Sequence, residues 1–240
     1  MVEKGEMDAP IPYVPGDPCP DCKGMQFMVR DVPVGHEHFG KLFPCPLCGR
    51  KRRAAYLERI CGLTGEMSGW TFENTRRLSW NADAYDTARA AASVPRWFFT
   101  LTGPSGRGKT RLLACIVNAG RAAGLLSVYT TTSGLLSTLR EALSPEAGAS
   151  FDEQWKRFTT APILAVDEVD RWHSTSWAEE RFFDLVDIRY RRGAEMLTCF
   201  AANAQPKEAA EYVASRVSDA RCRHFHLAGI DLRQVAGEDG

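Results

Sequence analysis

The 240-residue chain has no apolar run approaching the roughly 18 to 20 residues that cross a bilayer, so no membrane-spanning helix is expected. It has no excess of charge of either sign. Thirty Lys and Arg balance thirty Asp and Glu, which excludes whole-molecule attraction to nucleic acid and leaves that task to local basic patches. Residues 1–8 lack the basic and apolar stretches of a signal peptide, and the expectation is a cytoplasmic protein. No internal repeat and no low-complexity tract is present, which excludes a repeat array.

What is present divides the chain. An apolar fraction of 44% suffices for one compact core, and the length leaves room for a small appendage. Pro10, Pro12, Pro15, Pro18 and, just beyond, Pro20 disfavour helix, so residues 1–18 read as an extended arm. Residues 19–65 read as a cysteine module and a basic linking helix over 50–61, stopped by Gly62 and Gly65. From residue 97 onward strand-like runs over 97–102, 125–130, 163–166, 196–201 and 224–227 alternate with helices over 110–123, 178–192 and 207–219. That alternation predicts an α/β fold, a parallel sheet with helices on both faces, occupying residues 66–240.

Four of the eight cysteines form two Cys-x-x-Cys pairs, Cys19 with Cys22 and Cys45 with Cys48, separated by 22 residues. Each pair reads as a turn, joined by a hairpin, and four thiolates so arranged predict a closed structural Zn2+ site of zinc-ribbon type. Two pairs at this spacing argue against a redox dithiol and make His36 and His38 unnecessary as ligands. Too few apolar residues surround them for a metal-free fold, so metal binding and folding are expected to be coupled. Cys61, Cys115, Cys199 and Cys222 read as packing thiols.

Gly103-Pro-Ser105-Gly106-Arg-Gly108-Lys109-Thr110 follows a strand and opens a helix, the setting a phosphate-binding loop requires. Glycines turn backbone N–H groups toward phosphates, Lys109 reaches the β- and γ-phosphates, and Thr110 offers a hydroxyl to Mg2+. The strand ending Val-Asp167-Glu168 supplies the second element, Asp167 toward the metal and Glu168 toward an attacking water. ATP, Mg2+ and Zn2+ are thus the expected cofactors. Arg50 to Arg53 offers either a phosphate grip or a solvated face, and Trp155, Trp172 and Trp177 read as packing aromatics rather than a base-stacking platform.

With these motifs, residues 66–233 resemble the AAA+ ATPases, and within them the DnaC/IstB group of helicase loaders and transposition helpers. The resemblance implies that Asn203 is a polar sensor holding the attacking water. It implies that Arg216, in Ser215-Arg216-Val217 where the family has leucine third, is an arginine finger acting on a neighbouring subunit; Arg221 and Arg223 lie close enough to share that candidacy. Gly229-Ile-Asp-Leu-Arg233 is similar to a C-terminal signature that makes Arg233 a second phosphate sensor, and Phe72 and Asn74 sit in a segment that lines the adenine pocket. Each also admits a structural role: Asn203 in a turn, Arg216 on a helix surface, Arg233 paired with Asp231, Phe72 in the core. The resemblance further implies an ATPase domain without a full C-terminal lid, self-association, docking of the zinc module on a replicative hexameric helicase, and loading on single-stranded DNA. A transposition helper ATPase and a non-enzymatic zinc adaptor are the alternatives.

Overall fold

The computed structural model describes residues 19–23, 25, 27–171, 175–203 and 215–235. The arm over 1–18, Trp172 and most of the helix over 207–219 lie outside them, as do the side chains of residues 50–52 in the basic run. The chain divides into two compact units, residues 1–55 and 56–240.

In the first unit β1 (Phe27–Val29) pairs antiparallel with β2 (Leu42–Pro44), Val29 opposite Leu42. Helix α1 (Pro46–Ile60) begins earlier than the expected residue 50, so Cys48 lies in its first turn rather than in a free turn. The cause is Pro46, whose fixed φ and missing N–H suit the first helical position. Little apolar surface is buried: the cysteines pack with Met28 and Leu47, while Met25, Phe27, Val29 and Leu42 stay exposed.

The second unit is built on a sheet. A 3-10 turn (Gly65–Gly69) and α2 (Ala82–Ser93) precede β3 (Trp97–Thr102). Then follow α3 (Lys109–Ala122), β4 (Ser127–Thr131), α4 (Thr132–Glu141), α5 (Phe151–Thr160), β5 (Ile163–Asp167), α6 (Ser176–Arg191), β6 (Leu197–Ala201) and β7 (Arg223–His226), before a last helical turn, Leu232–Val235. The strand order is β4-β5-β6-β3-β7, every neighbouring pair parallel. Helix starts follow local chemistry: Ser150 and Glu153 form a reciprocal capping box on α5, and the Thr131 and Thr175 hydroxyls cap α4 and α6.

Strand alternation sends side chains to two faces, and both are covered. Phe99, Leu101, Ala165 and Cys199 pack against Leu112, Leu113, Ile116 and Val117 of α3 and Ala88 of α2. Phe98, Leu164, Val166 and Phe200 pack against Leu135 and Leu139 of α4, Phe158 of α5 and Phe182 of α6. Cys61, Cys115, Cys199 and Cys222 are buried, as expected of packing thiols.

A fully buried Arg189 ties the second face together. Its guanidinium donates to Phe158 O and Ala161 O at 2.9 Å each, to Leu197 O at 2.7 Å and to Thr198 Oγ1 at 2.8 Å, joining α5, α6 and β6. Burial pulls its pKa down, and neutral acceptors compensate the desolvation of the charge. Arg189→Ala would take a donor from three buried carbonyls and should cost about 3 kcal/mol of unfolding free energy, read from the urea midpoint. A loss below about 1 kcal/mol would show that the guanidinium is dispensable.

Candidate functional site

Sheet order dictates what meets at the carboxyl end of the strands. Because β6 lies between β3 and β5, whatever follows β6 must lie between the loop after β3 and the acids ending β5. Residues 103–110, 167–168 and 203 thereby converge although roughly a hundred positions separate the first from the last.

The loop folds tightly on itself. Gly103 adopts φ 131° and Gly106 φ 79°, both in the region that favours glycine, and a Cβ on Gly103 would stand 2.3 Å from Leu227 O. Lys109 Nζ donates to Gly103 O at 2.7 Å, Pro104 O at 2.8 Å and Asn203 Oδ1 at 3.1 Å. Burial holds the ammonium pKa below its ordinary value, with Asp167 and Asp170 pulling it back up. Ser105 Oγ also donates to Asn203 Oδ1, at 3.3 Å. The Asn203 backbone N–H donates to Asp170 Oδ2 at 3.0 Å.

Asp167, buried at the end of β5, is held by three donors. Its Oδ2 accepts from Thr110 Oγ1 at 2.6 Å and from the Tyr129 hydroxyl at 3.0 Å, and its Oδ1 accepts from the Glu168 N–H at 2.8 Å. Thr110 and Asp167 could hold a magnesium ion: a hydroxyl oxygen stands beside a carboxylate, both hard ligands, next to a loop shaped for phosphate. Glu168 turns away from the strand in a left-handed conformation, φ 54°, and its carboxylate is half exposed, 4.0 Å from Arg171 Nη1.

The remaining expected residues are placed less directly. Asn74 builds a turn, accepting the Thr71 N–H and donating to Gly69 O, while its own carbonyl accepts from Arg111. Phe72 is buried edge-on to Tyr85, beside a cleft of about 430 Å³ lined by Cys115, Asn118 and Ala119 of α3 rather than by the loop. Arg233 pairs with Asp231, and the segment carrying them rests on the loop through Leu232 N–H to Gly106 O at 2.9 Å. Asp231 stands against Gly106, where a Cβ would lie 2.0 Å from Oδ1, and 3.8 Å from Arg107.

Arg216 pairs with Asp187 at 3.4 Å and lies over the Tyr190 ring, which packs against Trp97. Arg221 is bound by Asp219 and stacks on Trp97 at 3.9 Å, whereas the Arg223 guanidinium meets backbone carbonyls. Trp97 opens β3 and the phosphate loop follows its far end, so these contacts sit about 17–20 Å of strand away from the loop of the same chain.

In the first unit, the sulfurs of Cys19, Cys22, Cys45 and Cys48 all lie within 4.8 Å of one another, with Cys19 to Cys45 at 3.7 Å and Cys22 to Cys48 at 3.5 Å. Tetrahedral zinc with bonds of about 2.3 Å needs sulfurs about 3.8 Å apart, so the cluster fits. The Cys22 backbone N–H and its neighbours lower the Cys19 thiol to about 7, while burial and the adjoining sulfurs push Cys48 up to about 12. A cation is what lets all four ionise together. His36 and His38 stand outside this group, His38 lying edge-on to Phe43.

Tyr129, Asp170, Arg107 and Asp231 are the site residues that motif reading passes over. Asp170 carries a weak signal as a third acid after β5, and Asp231 lies within the C-terminal signature. Tyr129 has none, because its place depends on which strand pairs with β5.

Residues 96–210 match the family described as IstB-like ATP binding protein. Among curated proteins none matches the sequence. In solved structures the chain is similar to AMPPCP-bound DnaA from Aquifex aeolicus, at 18% identity and a TM-score of 0.59 over 71% of this chain and 53% of that one. It is similar to DnaI, at 17% identity and a TM-score of 0.55 over 76% of this chain and 100% of that one. The DnaC helicase loader matches at 14% identity and a TM-score of 0.53, over 68% of this chain and 99% of that one. The chain thus spans about half the length of the replication initiators it resembles, and identities this low speak to fold. Among the described residues no helix is long and apolar enough to cross a membrane. Family match, strand order and converging motifs agree that residues 96–210 resemble the IstB-like ATP-binding family, on a fold shared with DnaC and DnaI.

Proposed function

We propose that this protein is an ATP-hydrolysing loader of a replicative hexameric helicase, docking through its zinc module and releasing the helicase onto single-stranded DNA. The observation that carries the reading is the joining of a four-cysteine module to a domain in which Lys109, Thr110, Asp167, Glu168 and Asn203 converge on one loop. The fold shared with DnaC and DnaI supports it.

In this reading the backbone N–H groups of the loop and Lys109 bind the ATP phosphates, Lys109 exchanging its carbonyl contacts for phosphate oxygens. Thr110 and Asp167 would hold a magnesium ion, which when bound would supply neutralisation of phosphate charge. Asn203 orients a water whose oxygen bonds to the γ-phosphorus as the bond to the β,γ-bridging oxygen breaks. Glu168 takes the proton of that water, and ADP leaves with the bridging oxygen. Arg216 is too far from its own loop to touch this phosphate, which supports a role on a neighbouring subunit and makes turnover dependent on assembly or partner. Phe72 and Asn74 near the adenine, and Arg233 as a phosphate sensor, remain proposals, the last requiring Arg233 to leave Asp231. Transposition assistance is the second reading, favoured by the IstB-like family match; coating of DNA and recruitment of a transposase would replace the helicase step.

Glu168→Gln should bind ATP within about threefold of the parent and lose at least a hundredfold in phosphate release; a variant that matched the parent in turnover would point to a nucleotide-binding adaptor instead. One zinc per chain is expected by metal analysis. Cys19→Ser with Cys22→Ser should release it and abolish a light-scattering complex with the helicase while nucleotide binding persists. Helicase binding retained without zinc would remove the docking role from the module, and no complex with the intact protein would favour transposition.

A further inference from the structure

Two of the three donors on Asp167 are explained by the phosphate loop and by the turn into Glu168. The third comes from Tyr129 on β4, the strand on the outer side of β5. Tyr129 lies opposite Ala165, two residues short of the end of β5, and its ring runs forward to place the hydroxyl 3.0 Å from Asp167 Oδ2. The ring packs on the apolar cluster beneath α3, and its backbone N–H donates to Cys61 O at 2.7 Å. A phenol keeps its proton at neutral pH, so the hydroxyl stands as a donor to the carboxylate.

We infer that Tyr129 is a positioning residue for the cation that accompanies the nucleotide, holding the Asp167 carboxylate in the rotamer that serves Thr110 and the metal. This rests on the ATPase reading. Thr110 can offer its oxygen to a divalent cation only while its hydrogen stays directed to Asp167 Oδ2. With Tyr129 on the same oxygen as Thr110 and the Glu168 N–H on the other, rotating the carboxylate breaks three hydrogen bonds instead of two. Nucleotide without cation meets the loop N–H groups and Lys109, none of which Tyr129 touches.

Tyr129→Phe keeps the ring and removes only the donor. In excess EDTA its affinity for a fluorescent ADP analogue should stay within about twofold of the parent. With Mg2+ present the affinity should fall about five- to tenfold, the scale of one ordinary hydrogen bond. An unchanged response to Mg2+ overturns the assignment, as does an equal loss in both buffers, which is the mark of a purely structural tyrosine. A parent that binds the analogue equally well with and without Mg2+ also overturns it. A parent that binds no nucleotide in either buffer overturns the ATPase reading itself, so the two failures are distinguishable.

Discussion

The backbone ladder of β5 and β6 is paired on both edges, and their side chains are covered on both faces by helices. A sheet so enclosed can meet water only at the ends of its strands. Polar side chains placed along these strands would lack solvent and need dedicated partners, as Thr198 has in Arg189. Chemistry is therefore concentrated at the carboxyl end, where the loop after β3, the acids after β5 and Asn203 after β6 each take their first polar position beyond the core. The strand order decides which of these neighbours another.

That division explains how much could be read from sequence. The loop over 103–110 is a contiguous motif whose geometry is encoded by its own glycines, so it was legible outright. Asp167 and Glu168 were legible because an apolar run fixes where their strand ends. The strands over 97–102 and 163–166 were legible for the same reason, the second running one residue further, to Asp167. Tyr129 was not, because its hydroxyl reaches Asp167 only through the β4–β5 pairing, and pairing is a long-range fact. Nor was the seating of Asp231 against Gly106, which depends on where the chain returns after β7. The start of α1 was misplaced for a local reason, the proline that follows Cys45.

The two units solve the problem of stability differently. Residues 56–240 bury two apolar layers around a sheet, whereas among the described residues of the smaller unit most large apolar side chains stay in water and the buried surface gathers around sulfur. A metal ion held by the four sulfurs would supply the order that hydrophobic burial does not.

Glu168 stands in a left-handed backbone conformation that costs a non-glycine residue on the order of 1–2 kcal/mol. Glycine at that position would relieve the strain and remove the carboxylate at once. Selection for folding alone would therefore drift away from the acid.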